Sequence, residues 1–411
     1  MLRSPFIHTV AYPHRVDYGV DNQKEGTSVT ITDRRYLQVF RSPISAIYSH
    51  QPPDVPICRR SRDIHLFPVL TMKKFLIKLS YTVLPVFLLL FGLTAYVTLN
   101  VLPKTTGDLG HLALIPFGCN EDDADEMKEL LYMNVNQTDS LRSIHADVLT
   151  VGDSFSRMGR LGYQNYLAAQ GVSVVNCARE LYENPMQYAY NILDRGLVDS
   201  TNIGVLVIQV GERDLVSRAE EFNVDKVDMN ELDPEPSFSS SGNPNAWSLL
   251  RARDFLTYRL HWSPVYKVTL DKDYFNSKEP RSLYFYCADI TNGVNIDEVS
   301  RQKIGEVFQI LTRKAEERGI ALLLMIPVDK YDMYQDHIVD NPYPRKTYIE
   351  EAREIFGDKP NVLLCKYLLT PLIEKGEKDV FSFDDSHWSI KASEIVGIEL
   401  SKRVKRRIDE L

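Results

Sequence analysis

Short apolar runs alternate with longer amphipathic stretches over residues 145–411 of this 411-residue chain. Short apolar runs bounded by turn residues are typical of buried strands, and apolar positions repeated every three or four residues are typical of helices. Their alternation predicts an α/β fold with a mostly parallel sheet covered by helices on both faces. Strands are predicted at Asp147–Val151, Val172–Asn176, Val205–Val210, Ala321–Ile326 and Asn361–Cys365, and helices near Arg157–Gln170, Pro185–Arg195, Asp297–Arg318, Thr347–Phe356 and Ser389–Asp409.

Residues 219–290 interrupt this alternation. An acidic stretch rich in Ser, Pro and Asn covers residues 231–245, and an aromatic-rich stretch follows it. We interpret the segment as an insertion that forms a lid or wall over one end of the sheet. Aromatic side chains are more often core than a sugar-stacking surface, so a stacking role here is the lesser hypothesis. The aromatic residues are Trp247, Phe255, Tyr258, Trp262, Tyr266 and Tyr274.

A separate apolar segment, residues 79–102, carries no charged residue. As a helix its 24 residues would be about 36 Å long, enough to cross a hydrocarbon core of roughly 30 Å. Lys73, Lys74 and Lys78 precede it, so the positive-inside bias places its N-terminal side in the cytoplasm. The run is longer than the apolar core of a cleaved signal peptide, which favours a retained single-pass anchor with residues 103–411 outside the cytoplasmic membrane.

Charge separates the chain into two parts at this segment. Residues 1–78 hold 12 basic and 6 acidic side chains, whereas the remainder holds 36 basic and 50 acidic ones. An acidic body argues against nucleic-acid binding, which depends on basic side chains. Residues 1–71 have no helical or strand period, and two hypotheses stay open: translation starts at Met72, or the stretch is an irregular cytoplasmic tail. Residues 103–144 are expected to be a linker to a domain at 145–411.

The first candidate for chemistry is Ser154, in the sequence Gly152-Asp153-Ser154 directly after a predicted strand. The carboxyl ends of parallel strands are where ligands bind, and a helix N-terminus there favours developing negative charge. Ser154 is therefore placed to be a nucleophile. Helix capping by Asp153 or Ser154 is the alternative, and these three residues alone do not decide between the two roles.

The second candidate lies near the C-terminus, where residues 383–388 read Phe-Asp-Asp-Ser-His-Trp. A serine hydroxyl needs a base to take its proton, and the base needs a third group that fixes its tautomer. In one turn Asp384 can reach Nδ1 of His387 while Nε2 faces Ser154. Asp385 is the alternative orienting carboxylate, and His337 is the reserve base.

These two motifs resemble the SGNH/GDSL hydrolase superfamily over roughly residues 145–411. The resemblance implies a three-layer α/β/α sandwich and an enzyme that cleaves or transfers acyl esters, with Ser154 as nucleophile, His387 as base and Asp384 as its orienting acid. The membrane-anchored form is similar to SGNH-like enzymes that O-acetylate or de-esterify cell-envelope polymers, including relatives of alginate O-acetyltransferases.

The chain departs from the family at two oxyanion positions. Arg213 stands where the family has Asn in Gly-x-Asn-Asp, and Asn176-Cys177-Ala178 stands where a Gly usually follows the second strand. The backbone N–H near Ala178 is expected to remain a donor. Arg213 is expected to supply a charged donor, with binding of an acidic substrate or a structural bridge to Glu212 as the alternatives. Loss of one oxyanion donor typically costs 10²–10³ in rate.

The expected function is acyl transfer through an acyl-Ser154 intermediate, either to water (O-acetyl esterase) or to a sugar hydroxyl (O-acetyltransferase). The expected substrate is a small acyl ester or an acylated cell-envelope or exported glycan, with no metal or organic cofactor. The transferase version needs a multi-span membrane partner that supplies acetyl groups. The alternative function is a catalytically silent SGNH-like domain that binds an envelope glycan or an assembly partner.

Overall fold

The computed structural model describes residues 67–117, 129–178, 181–226, 250–260 and 263–410. Six of its strands form one parallel sheet with the order β1-β3-β2-β4-β7-β8, and β5 and β6 pair as a separate antiparallel hairpin. The α/β fold with a mostly parallel sheet is therefore confirmed. The strands are β1 (Met133–Val135), β2 (Val148–Gly152), β3 (Val174–Cys177), β4 (Val205–Gln209), β5 (Val265–Thr269), β6 (Ser282–Tyr286), β7 (Ala321–Ile326) and β8 (Val362–Leu364).

Helices connect the strands of the sheet, and α12 packs on α3 whereas α4, α5 and α10 pack on α8. The helices are α1 (Phe67–Tyr96), α2 (Gly107–Ala113), α3 (Tyr163–Ala169), α4 (Pro185–Asp194), α5 (Leu215–Glu220), α6 (Leu250–Arg259), α7 (Ala288–Thr291), α8 (Glu298–Glu316), α9 (Lys330–Tyr334), α10 (Tyr348–Phe356), α11 (Cys365–Glu374) and α12 (Ile390–Glu410).

All five predicted strands and four of the five predicted helices are present at nearly the expected positions. The helix predicted at Arg157–Gln170 is instead two 3₁₀ turns, Ser154–Arg157 and Gly159–Leu161, followed by α3. Gly159 has φ +58° and Gly162 is extended, so the backbone leaves the right-handed helical region at both positions.

The expected linker at 103–144 is part of the folded domain. Strand β1 pairs with β3 at one edge of the sheet, with Val135 opposite Cys177. Helix α2 packs against α6 and the β5–β6 hairpin. A domain start at residue 145 is therefore too late, because the sheet and its surroundings include residues from before that position.

The insertion at 219–290 holds α6 and the β5–β6 hairpin, and its acidic stretch at 231–245 lies outside the described residues, as do Trp247 and Trp262. Val265 and Tyr284 of the hairpin pack with Leu109 of α2, and Phe383 contacts the same cluster. The hairpin and α2 thus form a wall beside the segment that contains His387.

Helix α1 continues through a π turn and a 3₁₀ turn to Lys104, and this run includes one helix long and apolar enough to span a membrane. Large side chains of its first part are exposed, among them Leu89 at 71% and Phe75 at 62%, whereas Val97 and Leu102 near its end are buried. The anchor predicted at residues 79–102 lies within it. Residues 1–66, which include most of the stretch with two open hypotheses, lie outside the described residues.

The order in which the chain adds strands to the sheet reverses between β2 and β4. The chain leaves β2 toward β3 on one side, and it leaves β4 toward β7 on the other side. In an open parallel sheet, ligands bind at the carboxyl ends of two such neighbouring strands. Ser154 follows β2 and Arg213 follows β4, so both candidate residues lie at this point.

Candidate functional site

Ser154 begins the 3₁₀ turn that follows β2, and its side chain is half-buried. The first N–H groups of a helix have no acceptor within the helix, and the Ser154 amide is the first of this turn. Asp153, just before it, accepts a hydrogen bond from Gly211 N (3.3 Å) and pairs with Arg218 (3.5 Å). The loops after β2 and β4 are thereby tied together beside Ser154.

Gly152 must be glycine because the chain is crowded there. A Cβ at this position would collide with the side chains of Ser156 and Gln209. Ser156 is buried and bonds Gln209 Oε1 and Tyr163 Oη, both at 3.0 Å. Ser156 therefore has a structural role, and it differs from Ser154, which is half-buried at the end of the strand.

His387 packs on Phe155, the residue that follows Ser154. The imidazole and the Phe155 ring have centroids 4.6 Å apart in an edge-to-face contact. His387 Nε2 is buried and has no hydrogen-bond partner among the described residues, so no hydrogen bond joins it to Ser154 Oγ. Hydrogen bonds of this kind are often long in ligand-free enzymes and close in the substrate complex.

Asp385, the alternative in the sequence analysis, is the carboxylate on His387. Its Oδ1 lies 2.5 Å from Nδ1 and accepts the His387 backbone N–H at 2.9 Å. Burial alone would raise the pKa of Asp385, but the hydrogen bond and charge of His387 hold that pKa well below its usual range. With this acceptor on Nδ1, the free Nε2 is the basic nitrogen.

Asp384 as the orienting acid is therefore wrong. The expected i, i+3 contact assumes a helical turn, but residues 382–387 form a loop closed by an antiparallel bridge between Phe381 and Trp388. Within this loop the Asp385 carboxylate accepts the backbone N–H two residues on, the contact of an Asx turn, which brings Asp385 to His387. The backbone carbonyl of Asp384 instead accepts the N–H groups of Leu109 (3.2 Å) and Gly110 (3.3 Å).

Asp108, at the start of α2, is the residue that the sequence analysis missed. It accepts the Ser386 N–H at Oδ1 (2.6 Å) and the Ser386 hydroxyl at Oδ2, and this second oxygen lies 3.6 Å from His387 Nδ1. Its own N–H donates to Asp385 Oδ2 at 3.2 Å. Burial and the neighbouring Asp385 charge raise the pKa of Asp108. No local signal marked it, because the contact joins residues 278 positions apart.

Asp108, Asp385 and His387 have ligand atoms within 4.8 Å of one another, close enough to hold a metal ion. However, all four carboxylate oxygens already accept hydrogen bonds, from Ser386 N and Oγ, from His387 N and from Asp108 N. We interpret the cluster as a hydrogen-bonded network. That the protein needs no metal remains a prediction.

Lys330 binds the backbone of the same loop. Its fully buried ammonium donates to the carbonyls of Ser382 (2.6 Å), Phe383 (2.9 Å) and Asp385 (2.9 Å). Burial lowers the pKa of Lys330 to about 8. Lys330 opens α9, which follows β7, so the carboxyl edge of the sheet fixes the position of the His387 loop.

Arg213 is held in an ion pair, but with Asp289 rather than with Glu212. Its guanidinium lies 2.5 Å from the fully buried Asp289 carboxylate and 3.9 Å from Asp329. These carboxylates keep the pKa of Arg213 above its ordinary value although burial opposes this. Lys346, also fully buried, contacts Asp329 at 2.6 Å and Glu212 at 3.5 Å. This buried charge cluster favours the structural role for Arg213.

The expected oxyanion donor at Ala178 is wrong, because its N–H donates to the Val135 carbonyl at 2.9 Å and extends the β1–β3 ladder. The next two residues, 179 and 180, lie outside the described part.

The reserve base His337 bonds Asp271 at 3.5 Å and packs on Tyr274, and it makes no contact with Ser154. The structure therefore brings Asp385 to His387 and packs Phe155, the residue after Ser154, on the imidazole.

Comparisons of this chain with protein-family models, with curated proteins and with solved structures give no match. The resemblance to SGNH hydrolases thus depends on the residues described above.

Proposed function

We propose that this protein is a serine-dependent acyl-ester enzyme of SGNH type, an O-acetyl esterase or O-acetyltransferase. The observation that carries the proposal is the environment of His387. Its Nδ1 is bound by Asp385, its Nε2 has no partner among the described residues, and its ring packs on Phe155, the neighbour of Ser154. A nucleophile, a base and an orienting acid are the three parts that such chemistry requires.

In the proposed reaction, His387 Nε2 accepts the proton from Ser154 Oγ as Oγ attacks the acyl carbonyl carbon. The Ser154 N–H stabilises the oxyanion, and the leaving alcohol departs with the proton from His387. Water or a sugar hydroxyl then attacks the acyl-Ser154 ester with the same base, which releases the acid or the new ester. Asp385 takes the role first expected of Asp384.

The arrangement of helices supports a three-layer α/β/α sandwich, because α3 with α12 and α8 with its partners form two separate groups. The lysines that precede the uncharged segment 79–102 support a catalytic domain on the extracytoplasmic side of the cytoplasmic membrane. We propose an acylated envelope or exported glycan as the substrate. In the transferase version a multi-span membrane protein supplies the acetyl group.

The second candidate, a silent domain that binds a glycan or an assembly partner, has its own observation. The Ala178 amide is used within the sheet and Arg213 is bound by Asp289, so two expected oxyanion donors are engaged. A domain that lacks these two donors binds an ester without strongly stabilising its transition state.

Hydrolysis of 4-nitrophenyl acetate by the full-length protein in detergent separates the two candidates. We expect turnover that Ser154→Ala and His387→Ala abolish and that Ser156→Ala, the matched control from the same 3₁₀ turn, retains. Equal rates for the original protein and Ser154→Ala, both with and without a glycan acceptor, would support the binding domain instead.

A further inference from the structure

Helix α2 contacts the His387 loop through both its side chains and its backbone. Asp108 accepts two hydrogen bonds from Ser386, the residue between the two members of the Asp385–His387 pair. In the opposite direction, the first amides of α2 donate to the loop, Asp108 N to the Asp385 carboxylate and Leu109 N to the Asp384 carbonyl. The contact therefore fixes the loop on both sides of Ser386.

The Asp108 carboxylate is also part of the electrostatic environment of the imidazole. Its Oδ2 lies 3.6 Å from Nδ1 of His387, close enough for a second negative charge to favour the imidazolium. Asp385 on the same loop is the carboxylate bonded to Nδ1, and the Lys330 ammonium on α9 donates to the Asp385 backbone carbonyl. Phe155, which packs on the ring from the 3₁₀ turn, carries no charge.

We infer that Asp108 is a positioning residue of the reaction, which holds Ser386 so that the Asp385–His387 pair faces Ser154 and which stabilises the protonated base. It acts through Ser386 and through its charge, and it contacts no reacting atom. This inference rests on the proposed function.

Asp108 also lies close in sequence to the end of the apolar helical run. The apolar helical run ends at Lys104, four residues before Asp108, which a fully extended chain spans in about 14 Å. The segment that leaves the membrane-spanning run is thus the same segment that orders the base. A linker would not have this effect, since a linker makes no contact with the site.

The test is the rate at which a fluorophosphonate probe labels Ser154 in the full-length protein, measured from pH 5 to 9. The variants are Asp108→Asn, which removes the charge at nearly constant shape, and Ser386→Ala, which removes only the hydroxyl. Asp108→Glu is the conservative rescue, and Asp139→Asn, an exposed acid on the 3₁₀ turn after β1, is the matched control. Circular dichroism in the near ultraviolet checks that each variant is folded.

We expect Asp108→Asn to lower the labelling rate about 10- to 100-fold at neutral pH, because a displaced base is a poor base. In the profile of labelling rate against pH, the rise on the acidic side should move to lower pH by about half a unit or more in this variant, because the imidazolium loses a nearby negative charge. We call this rise the acid limb. Ser386→Ala should lower the rate without moving the limb, Asp108→Glu should restore the limb, and Asp139→Asn should change neither.

The outcomes separate the two proposals. If the original protein labels at Ser154 and Asp108→Asn labels with the same rate and limb, the positioning role is overturned and the enzyme stands. A lower rate with an unmoved limb overturns the electrostatic part of the inference. If Ser154 in the original protein is no more reactive than in a denatured sample, the proposed function fails and the inference fails with it.

Discussion

The two nitrogens of His387 have different environments, and that difference defines the site at the scale of single residues. Nδ1 has an acid 2.5 Å away, and Nε2 has no partner among the described residues although it is buried. An unpaired buried polar atom costs free energy, so Nε2 gains by accepting a hydrogen bond. A ligand hydroxyl or the Ser154 hydroxyl would satisfy this atom.

The choice of Asp385 over Asp384 is testable with two matched variants. Asp385→Asn should reduce ester hydrolysis by about 10³- to 10⁴-fold, because an amide on Nδ1 no longer selects the required tautomer. Asp384→Asn should reduce it far less, because Asp384 contributes its backbone carbonyl, which the variant keeps. Steady-state rates of both variants measure this, and a larger loss in Asp384→Asn would return the orienting role to that residue.

The sequence indicated Ser154 and His387 because each lies in a local motif with a chemical meaning. It did not indicate Asp108 or the orientation of Asp385. A three-residue spacing predicts a contact only if the backbone is helical, and the 382–387 loop is instead closed by a bridge between Phe381 and Trp388. Asp108 contacts the loop only through tertiary packing, which no local pattern records.

At the scale of elements, the start of α2 depends on Gly107. Its φ is +62°, and a Cβ there would overlap the Asp384 carbonyl. Gly159 has a similar φ of +58° but open space around it, so it isolates the cost of the backbone conformation.

Gly159→Ala should destabilise the protein by roughly 1–2 kcal/mol with little change in activity. Gly107→Ala should destabilise it too and should also lower the hydrolysis rate tenfold or more, because it displaces α2 from the His387 loop. Thermal unfolding and steady-state kinetics of the two variants measure this. Equal activity in both would show that the α2 contact is not needed for chemistry.

The buried charge cluster beneath the site should make stability depend on pH. Burial and the neighbouring Asp329 raise the pKa of Asp289 from 3.8 to about 6. The folded protein then binds more protons than the unfolded chain between about pH 4 and 6, so this contribution to stability is present at low pH and lost as the pH rises through 6.

The unfolding free energy of the original protein should fall relative to that of Asp289→Asn, by at most about 3 kcal/mol, over this interval. Urea unfolding of both proteins in detergent at several pH values measures the difference. A difference that stays constant, or that grows in favour of the original protein as the pH rises, would contradict the assignment.

The strands of the sheet were largely predictable because a buried parallel strand is a nearly continuous apolar run, as in β7, whose bounds match the prediction. Strand β1 was missed because it has only three residues, two of them exposed. Strands β5 and β6 were missed because their aromatic side chains suggested a lid without a defined element. The 3₁₀ turns after Ser154 replaced a predicted helix because glycines interrupt it.

At the scale of the whole molecule, an apolar helix precedes an acidic α/β domain. Alkaline phosphatase fused to the C-terminus in a bacterial host should be active, because the enzyme folds only outside the cytoplasm and the lysines before the uncharged segment 79–102 remain inside. Leu88→Arg with Leu89→Arg should lower its activity, since each arginine at the centre of the span costs about 2.5–3.5 kcal/mol of insertion. An inactive fusion of the unaltered chain would place the domain on the cytoplasmic side.

The most direct test of the central claim is to trap the covalent intermediate. The full-length protein is mixed with 4-nitrophenyl acetate, quenched in acid within milliseconds to seconds, digested and analysed by mass spectrometry. The account predicts one acetyl group on the peptide that contains Ser154, absent in Ser154→Ala and strongly reduced in His387→Ala. Turnover without acetylation of Ser154, or an acetyl group on Ser156 instead, would contradict it.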